Sequence, residues 1–274
     1  MPIIIISSDS YKTGREIGEK TAKATGYDYV DRDILGPVAE KSNVQEEKLI
    51  KALDEAPSFL GLSSKLRNKY LAYIQEATLG QLLEDNVVCH GLAAHLYVLG
   101  VSHALKVRVL SDPEELASQL SSEAGGSAEK VKKLLKRQDA QRKRWSLEAF
   151  DLDETDPSNY DMVINLSQID PDEAVKTIAD MTAYRKFQPM TYSIKCLRDK
   201  ELASRVRMAL MERFPGVRVQ ADGSTIVVGT KAIKREKQKR TEAIKALAGG
   251  IAGVGYVEVH VANDIFRQAA ESSR

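Results

Sequence analysis

The residues best suited to chemistry stand together near the start of the chain: Ser8, Asp9, Ser10, Tyr11, Lys12, Thr13, Gly14 and Arg15. They lie between Ile3-Ile4-Ile5-Ile6-Ser7, which reads as a strand buried on both faces, and residues 15–24, where Ile17, Thr21 and Ala24 show helical spacing. A strand that enters a helix through a polar turn aims backbone N–H groups, and the positive end of the helix dipole, at whatever lies beyond the strand. That arrangement suits phosphate. The stretch does not match G-x-x-x-x-G-K-[ST], because it has one glycine and its Lys12-Thr13 pair precedes that glycine. An ordinary strand-to-helix turn that binds nothing is the competing reading.

A second concentration of charge follows Gly125-Gly126. Lys130, Lys132, Lys133, Lys136, Arg137, Arg142, Lys143 and Arg144 face only Glu129 and Asp139 along one helical stretch. A solvated helix face is the plain explanation. A lid that closes over polyphosphate would also place cations beside a glycine hinge. His90, His95 and His103 match no compact metal-ligand spacing, so no zinc site is expected. Ser7 and Ser8 lack the spacing of a hydrolase nucleophile elbow.

The elements that must position these groups alternate. Residues 27–30, 86–91, 104–110 and 161–165 read as further strands, separated by helical stretches at 33–41, 44–53, 63–84, 92–99, 112–124 and from 127 onward, with a last helix to about 184. Strands divided by helices predict an α/β fold: a parallel sheet covered on both faces, with ligands outside the carboxyl ends of its strands. The 274 residues predict one large domain and one small one. Their 43% hydrophobic and 29% charged content is that of a globular chain with a real core. A net charge of +1 excludes a molecule-wide basic field, so nucleic acid is not expected as a partner. Two cysteines, Cys89 and Cys196, no apolar run long enough to cross a membrane and no leader pattern predict a cytoplasmic protein without disulfides.

Residues 1–184 resemble the cytidylate kinase-like family, relatives of the P-loop nucleoside monophosphate kinases. The resemblance is carried by Ile6-Ser7, Gly14-Arg15-Glu16-Ile17, Gly26-Tyr27, Tyr29, Asp31-Arg32-Asp33-Ile34, Val87-Val88, Gly91, the helix with Arg137, Asp139 and Arg142, and Asp156-Pro157-Ser158-Asn159-Tyr160-Asp161-Met162-Val163-Ile164-Asn165. It implies phosphoryl transfer from ATP, with Mg²⁺, to a nucleoside monophosphate such as CMP or a similar small acceptor. Residues 8–15 would hold the donor phosphates, Lys12 as a point charge and Thr13 as the Mg²⁺ hydroxyl. Asp31, Arg32 and Gly91 would lie at the acceptor, and Arg137 and Arg142 would close from the lid. The chain departs from the family's Ser-Arg-Glu-(Tyr/Phe)-Gly-Ser-Gly-Gly-Arg turn throughout 8–13, and Gly91-Leu92-Ala93-Ala94 replaces Gly-Arg-Gly-Ala. Two outcomes follow from those departures: a kinase with a degenerate phosphate loop, or a catalytically inactive protein that senses nucleotide or binds a partner.

Residues 185–190 read as a linker to a second unit at 191–262 of order αββαβ, with a hairpin at Asp222-Gly223 and a helical tail at 263–274. Through Asp222-Gly223, Ile226-Val227-Val228-Gly229 and Gly253-Val254-Gly255-Tyr256-Val257 this unit resembles a BON domain, which implies a phospholipid or protein partner. Lys231, Lys234, Arg235, Lys237, Lys239, Arg240 and Lys245 make its second helix basic; no aromatics interleave, which argues against a nucleic-acid platform.

Overall fold

The computed structural model describes residues 2–55, 62–124 and 128–263, leaving aside the side chains of 113, 119, 120, 122–136, 138 and 139. The expected glycine hinge at 125–126 and the tail beyond 263 lie outside the described residues. The chain divides into two compact units, Met1–Ile194 and Lys195–Arg274.

In the first unit, β1 (Ile3–Ser8), α1 (Tyr11–Thr25), β2 (Asp28–Val30), α2 (Leu35–Ser42), α3 (Glu46–Asp54) and α4 (Ser64–Leu82) are followed by β3 (Val87–His90) and α5 (Ala94–Tyr97). Then come β4 (Ala104–Leu110), α6 (Pro113–Ala124), α7 (Ala128–Phe150), β5 (Met162–Asn165) and α8 (Pro171–Met181). The five strands form one parallel sheet in the order β2-β3-β1-β4-β5, with helices on both faces. Ile3, Ile4, Ile5 and Ile6 are all buried, which is why β1 has no polar alternation. Ile4 and Ile6 pack with Ile17 of α1 and Ile178 of α8. On the opposite face β1 ends in Ser7, in register with Arg108 of β4. Cys89 of β3 is fully buried, and burial, then the Asp31 carboxylate, pushes its thiol up to about 12.

The segment read as a linker holds a 3₁₀ turn, Arg185–Phe187, that buries Phe187 in the core of the first unit. The next helix, α9 (Thr191–Met211), begins at the first residue of the expected second unit, and its Leu197 is buried. Then come β6 (Arg218–Asp222), β7 (Thr225–Ala232), α10 (Lys237–Gly249) and β8 (Tyr256–Asn263), completing the order αββαβ. β6 and β7 form the hairpin, with Asp222 opposite Thr225 and Gly223 at φ +58°, a backbone that glycine adopts without strain. β8 joins β7 in parallel through α10. Leu202, Val206, Leu210, Phe214, Ile226, Val228, Ile244 and Ala248 form this unit's own core. Among the described residues no helix is long and apolar enough to cross a membrane.

Candidate functional site

The turn that should wrap donor phosphates is wound into helix. Only Asp9 and Ser10 separate β1 from α1, and Tyr11, Lys12, Thr13 and Gly14, read as loop, form the first turn of α1. Ser10 is the N-cap: its Oγ accepts from the Thr13 backbone N–H at 3.3 Å and from the Thr13 hydroxyl at 3.1 Å. Asp9 accepts from the Ser111 backbone N–H at 3.0 Å and from the Ser111 hydroxyl at 2.7 Å, tying β1 to the end of β4. Gly14 is there for contact, since a Cβ would fall 2.2 Å from both Ser8 Oγ and His90 Nε2.

A cavity of about 210 Å³ opens at the carboxyl ends of β1, β3 and β4. It is lined by Ser7, Ser8 and Asp9 of the β1 end, Tyr11, Arg32, Asp54, His90 and Gly91, and by His95, Arg108 and Arg142. Of the expected site residues, this brings together Ser8, Asp9, Tyr11, Arg32, Gly91 and Arg142. Lys12 and Thr13 instead line a smaller hollow with Glu16, Asp112 and Glu115, a carboxylate-rich setting for groups expected to meet phosphate. Arg137 is exposed on α7 and does not line the cavity.

The residues expected at the acceptor, Asp31, Arg32 and Gly91, stand in one local network. Asp31 is buried, caps the 3₁₀ turn Arg32–Ile34 through the Asp33 N–H at 2.9 Å, and accepts from the Tyr11 hydroxyl at 3.2 Å. Arg15 approaches Asp31 at 3.5 Å and Asp33 at 3.7 Å. Arg32 makes a bidentate pair with Asp54, at 2.8 and 2.5 Å, donates to the Gly91 carbonyl at 3.2 Å and lies over the Tyr11 ring at 4.4 Å. Tyr11 thus lies across Gly91, where a Cβ would come within 2.6 Å of its ring. Burial, then the nearby Asp31 charge, raises the Tyr11 hydroxyl.

Arg142 is held rather than hinged. It pairs with buried Glu154 through two nitrogens, at 2.5 and 2.8 Å, donates to the Leu53 carbonyl and lies 4.3 Å from the Trp145 ring. Trp145 is fully buried and donates to the Ala52 carbonyl at 2.8 Å, so the carboxyl half of α7 is docked on α3. Burial works against the Glu154 charge, yet Arg142 and His95 hold its carboxyl down at about 2. A lid that swings away at Arg142 is therefore not what the chain builds.

Three groups were not anticipated. Arg108 is buried with one nitrogen 3.0 Å from Ser7 Oγ and 3.5 Å from the Tyr160 hydroxyl. Tyr160 lies 2.8 Å from the Glu154 carbonyl oxygen and its ring stacks on His95 at 5.4 Å. His90 Nε2 sits 3.0 Å from Ser8 Oγ, and burial, then Arg32, pushes the imidazole down to about 4, so it is neutral. The signal for Arg108 was its place between Val107 and Val109 in an otherwise apolar strand. Leu92 stands where the resemblance led to an arginine, and Arg108 supplies the cleft with a guanidinium from β4, on the far side of β1. No metal-binding cluster of histidine, cysteine or carboxylate residues occurs among the described residues.

A family model described as the cytidylate kinase-like family matches residues 3–168. Among solved structures, an uncharacterized protein from Eubacterium ventriosum ATCC 27560 is similar at TM-score 0.49 and 17% identity, over 68% of this chain and 100% of that one. Shikimate kinase from Bacteroides thetaiotaomicron is similar at TM-score 0.44 and 11% identity, over 67% and 99% of the two chains. No curated protein matches this sequence.

Proposed function

The chain belongs to the cytidylate kinase-like family, and on that premise we propose that it is a nucleotide-binding kinase relative, a sensor more than a catalyst. Its cleft takes the phosphate of a nucleoside monophosphate, CMP or similar, and transfer from ATP is slow or lost. The observation that carries this reading is the two-residue connection between β1 and α1. Membership of a kinase-like family implies ATP and Mg²⁺, and the residues at the amino end of α1 do not fit them. The Thr13 N–H and hydroxyl are taken by Ser10, the Asp9 carboxylate stands beside the strand end, and Lys12 lies among carboxylates. A helix turn also leaves no room for backbone to encircle a triphosphate as a glycine-rich loop does. The acceptor side is intact by comparison: Arg32, held by Asp54, and Arg142, held by Glu154, present fixed guanidinium groups to one cavity.

Calorimetry with CMP, and with ATP in the presence and absence of Mg²⁺, paired with an ADP-release assay, tests this. The expected result is heat with CMP and no turnover above background, unchanged in Lys12→Ala. A second reading, ATP-dependent transfer with a degenerate loop, is favoured by Lys12 and Thr13 standing in the first turn of α1. Turnover that disappears in Lys12→Ala and Arg137→Ala would establish it against the first. In the second unit, exposed Lys231, Lys234, Arg235, Lys239 and Lys245 support an anionic partner surface, phospholipid or protein.

A further inference from the structure

Three guanidinium groups line the cavity, and they are not equivalent. Arg32 is neutralised by Asp54 in a bidentate pair, and Arg142 by Glu154 in another. Arg108 is only 7% exposed, and its hydrogen-bond partners among the described residues are two hydroxyls, those of Ser7 and Tyr160. A buried cation without an opposite charge is unfavourable unless something supplies one, and a planar guanidinium fork matches the oxygens of a phosphate.

We infer that Arg108 is the anchor of the cleft, a subsite for a phosphate monoester dianion, with Ser7 and Tyr160 fixing the guanidinium from behind and Arg32 and Arg142 at the sides. The inference rests on the nucleotide reading of the cleft and names the group that reads the ligand. Ser7 holds one nitrogen in place because β1 and β4 set the two residues in register, so the fork is presented by the sheet itself and not by a loop. Tyr160 is held in turn by the Glu154 carbonyl and by the stacked His95 ring. A phosphate seated on Arg108 would complete the ion pairing of the cavity, and a ligand without phosphate would leave the buried charge as it is.

The test is calorimetry of the full chain with inorganic phosphate, CMP and cytidine, in wild type, Arg108→Met and Arg108→Lys. Wild type is expected to bind phosphate and CMP and to bind cytidine at least about tenfold more weakly, the scale of a lost charged hydrogen-bond pair. Arg108→Met should lose about tenfold or more for phosphate and CMP while melting no lower than wild type without ligand, since it removes an unpaired buried charge. Arg108→Lys, which keeps the charge and loses the fork, should fall between them. Unchanged CMP affinity in Arg108→Met overturns the anchor and leaves the nucleotide reading standing, as does cytidine binding wild type as well as CMP does. If Arg108→Met does not fold, unchanged affinity in Arg108→Lys overturns it instead. Absence of binding by wild type to phosphate and CMP alike overturns both.

Discussion

Gly14 sets the distance between α1 and the ends of β1 and β3, because its missing side chain lets Ser8 and His90 meet. Gly14→Ala is expected to destabilise the first unit by about 1–3 kcal/mol through overpacking, read as a lower urea midpoint. His90 makes a prediction about pH. Its folded-state value of about 4 lies below the ordinary histidine value of about 6.5. The unfolded chain therefore binds the proton more readily between those values, so the contribution is whole above the upper one and is lost as pH falls through the window. Burial depresses His95 and His103 in the same direction. Urea midpoints at about pH 7 and about pH 5 should show stability dropping on acidification, by an amount on the order of 2 kcal/mol for His90 alone. His90→Gln should flatten part of that slope; an unchanged slope would show that His90 is not the group responsible.

At the scale of elements, the strands were legible because β1, β3 and β4 are apolar runs in a doubly covered sheet, where burial alone identifies them. The Asp222-Gly223 hairpin was legible because a two-residue turn needs a residue that tolerates positive φ. What the sequence hid was where α1 begins. Ser10 is as good a cap as any polar residue in the stretch, and only contact decides that Tyr11 turns across Gly91 and extends the helix backward. The docking of α7 was hidden for a related reason: a row of cations reads as a solvated face or a lid, whereas Arg142 and Trp145 are ties to α3 and to Glu154. Trp145→Ala should cost about 3–5 kcal/mol and weaken CMP binding by releasing Arg142. Unfolding followed by circular dichroism, with CMP calorimetry on the same protein, checks both effects.

At the scale of the whole molecule, each unit has its own core, and the second is closed by α9 and α10 over one face of its sheet. A fragment of residues 191–274 is therefore expected to fold alone with a single cooperative transition. Its sedimentation with vesicles containing anionic lipid, compared with neutral vesicles, tests the partner surface of Lys231, Lys234 and Arg235; equal behaviour with the two would remove lipid from consideration. Cys89 and Cys196 divide between the units, and they differ. Cys196 is partly accessible, whereas Cys89 sits at no measurable exposure with its thiol raised to about 12. A thiolate-seeking reagent can reach Cys89 only when the sheet comes apart, so in a Cys196→Ser background the alkylation rate becomes a clock for opening of the first unit. Ligands that bind in the cleft should slow that clock, and a chemical with no affinity for it should leave the ticking unchanged.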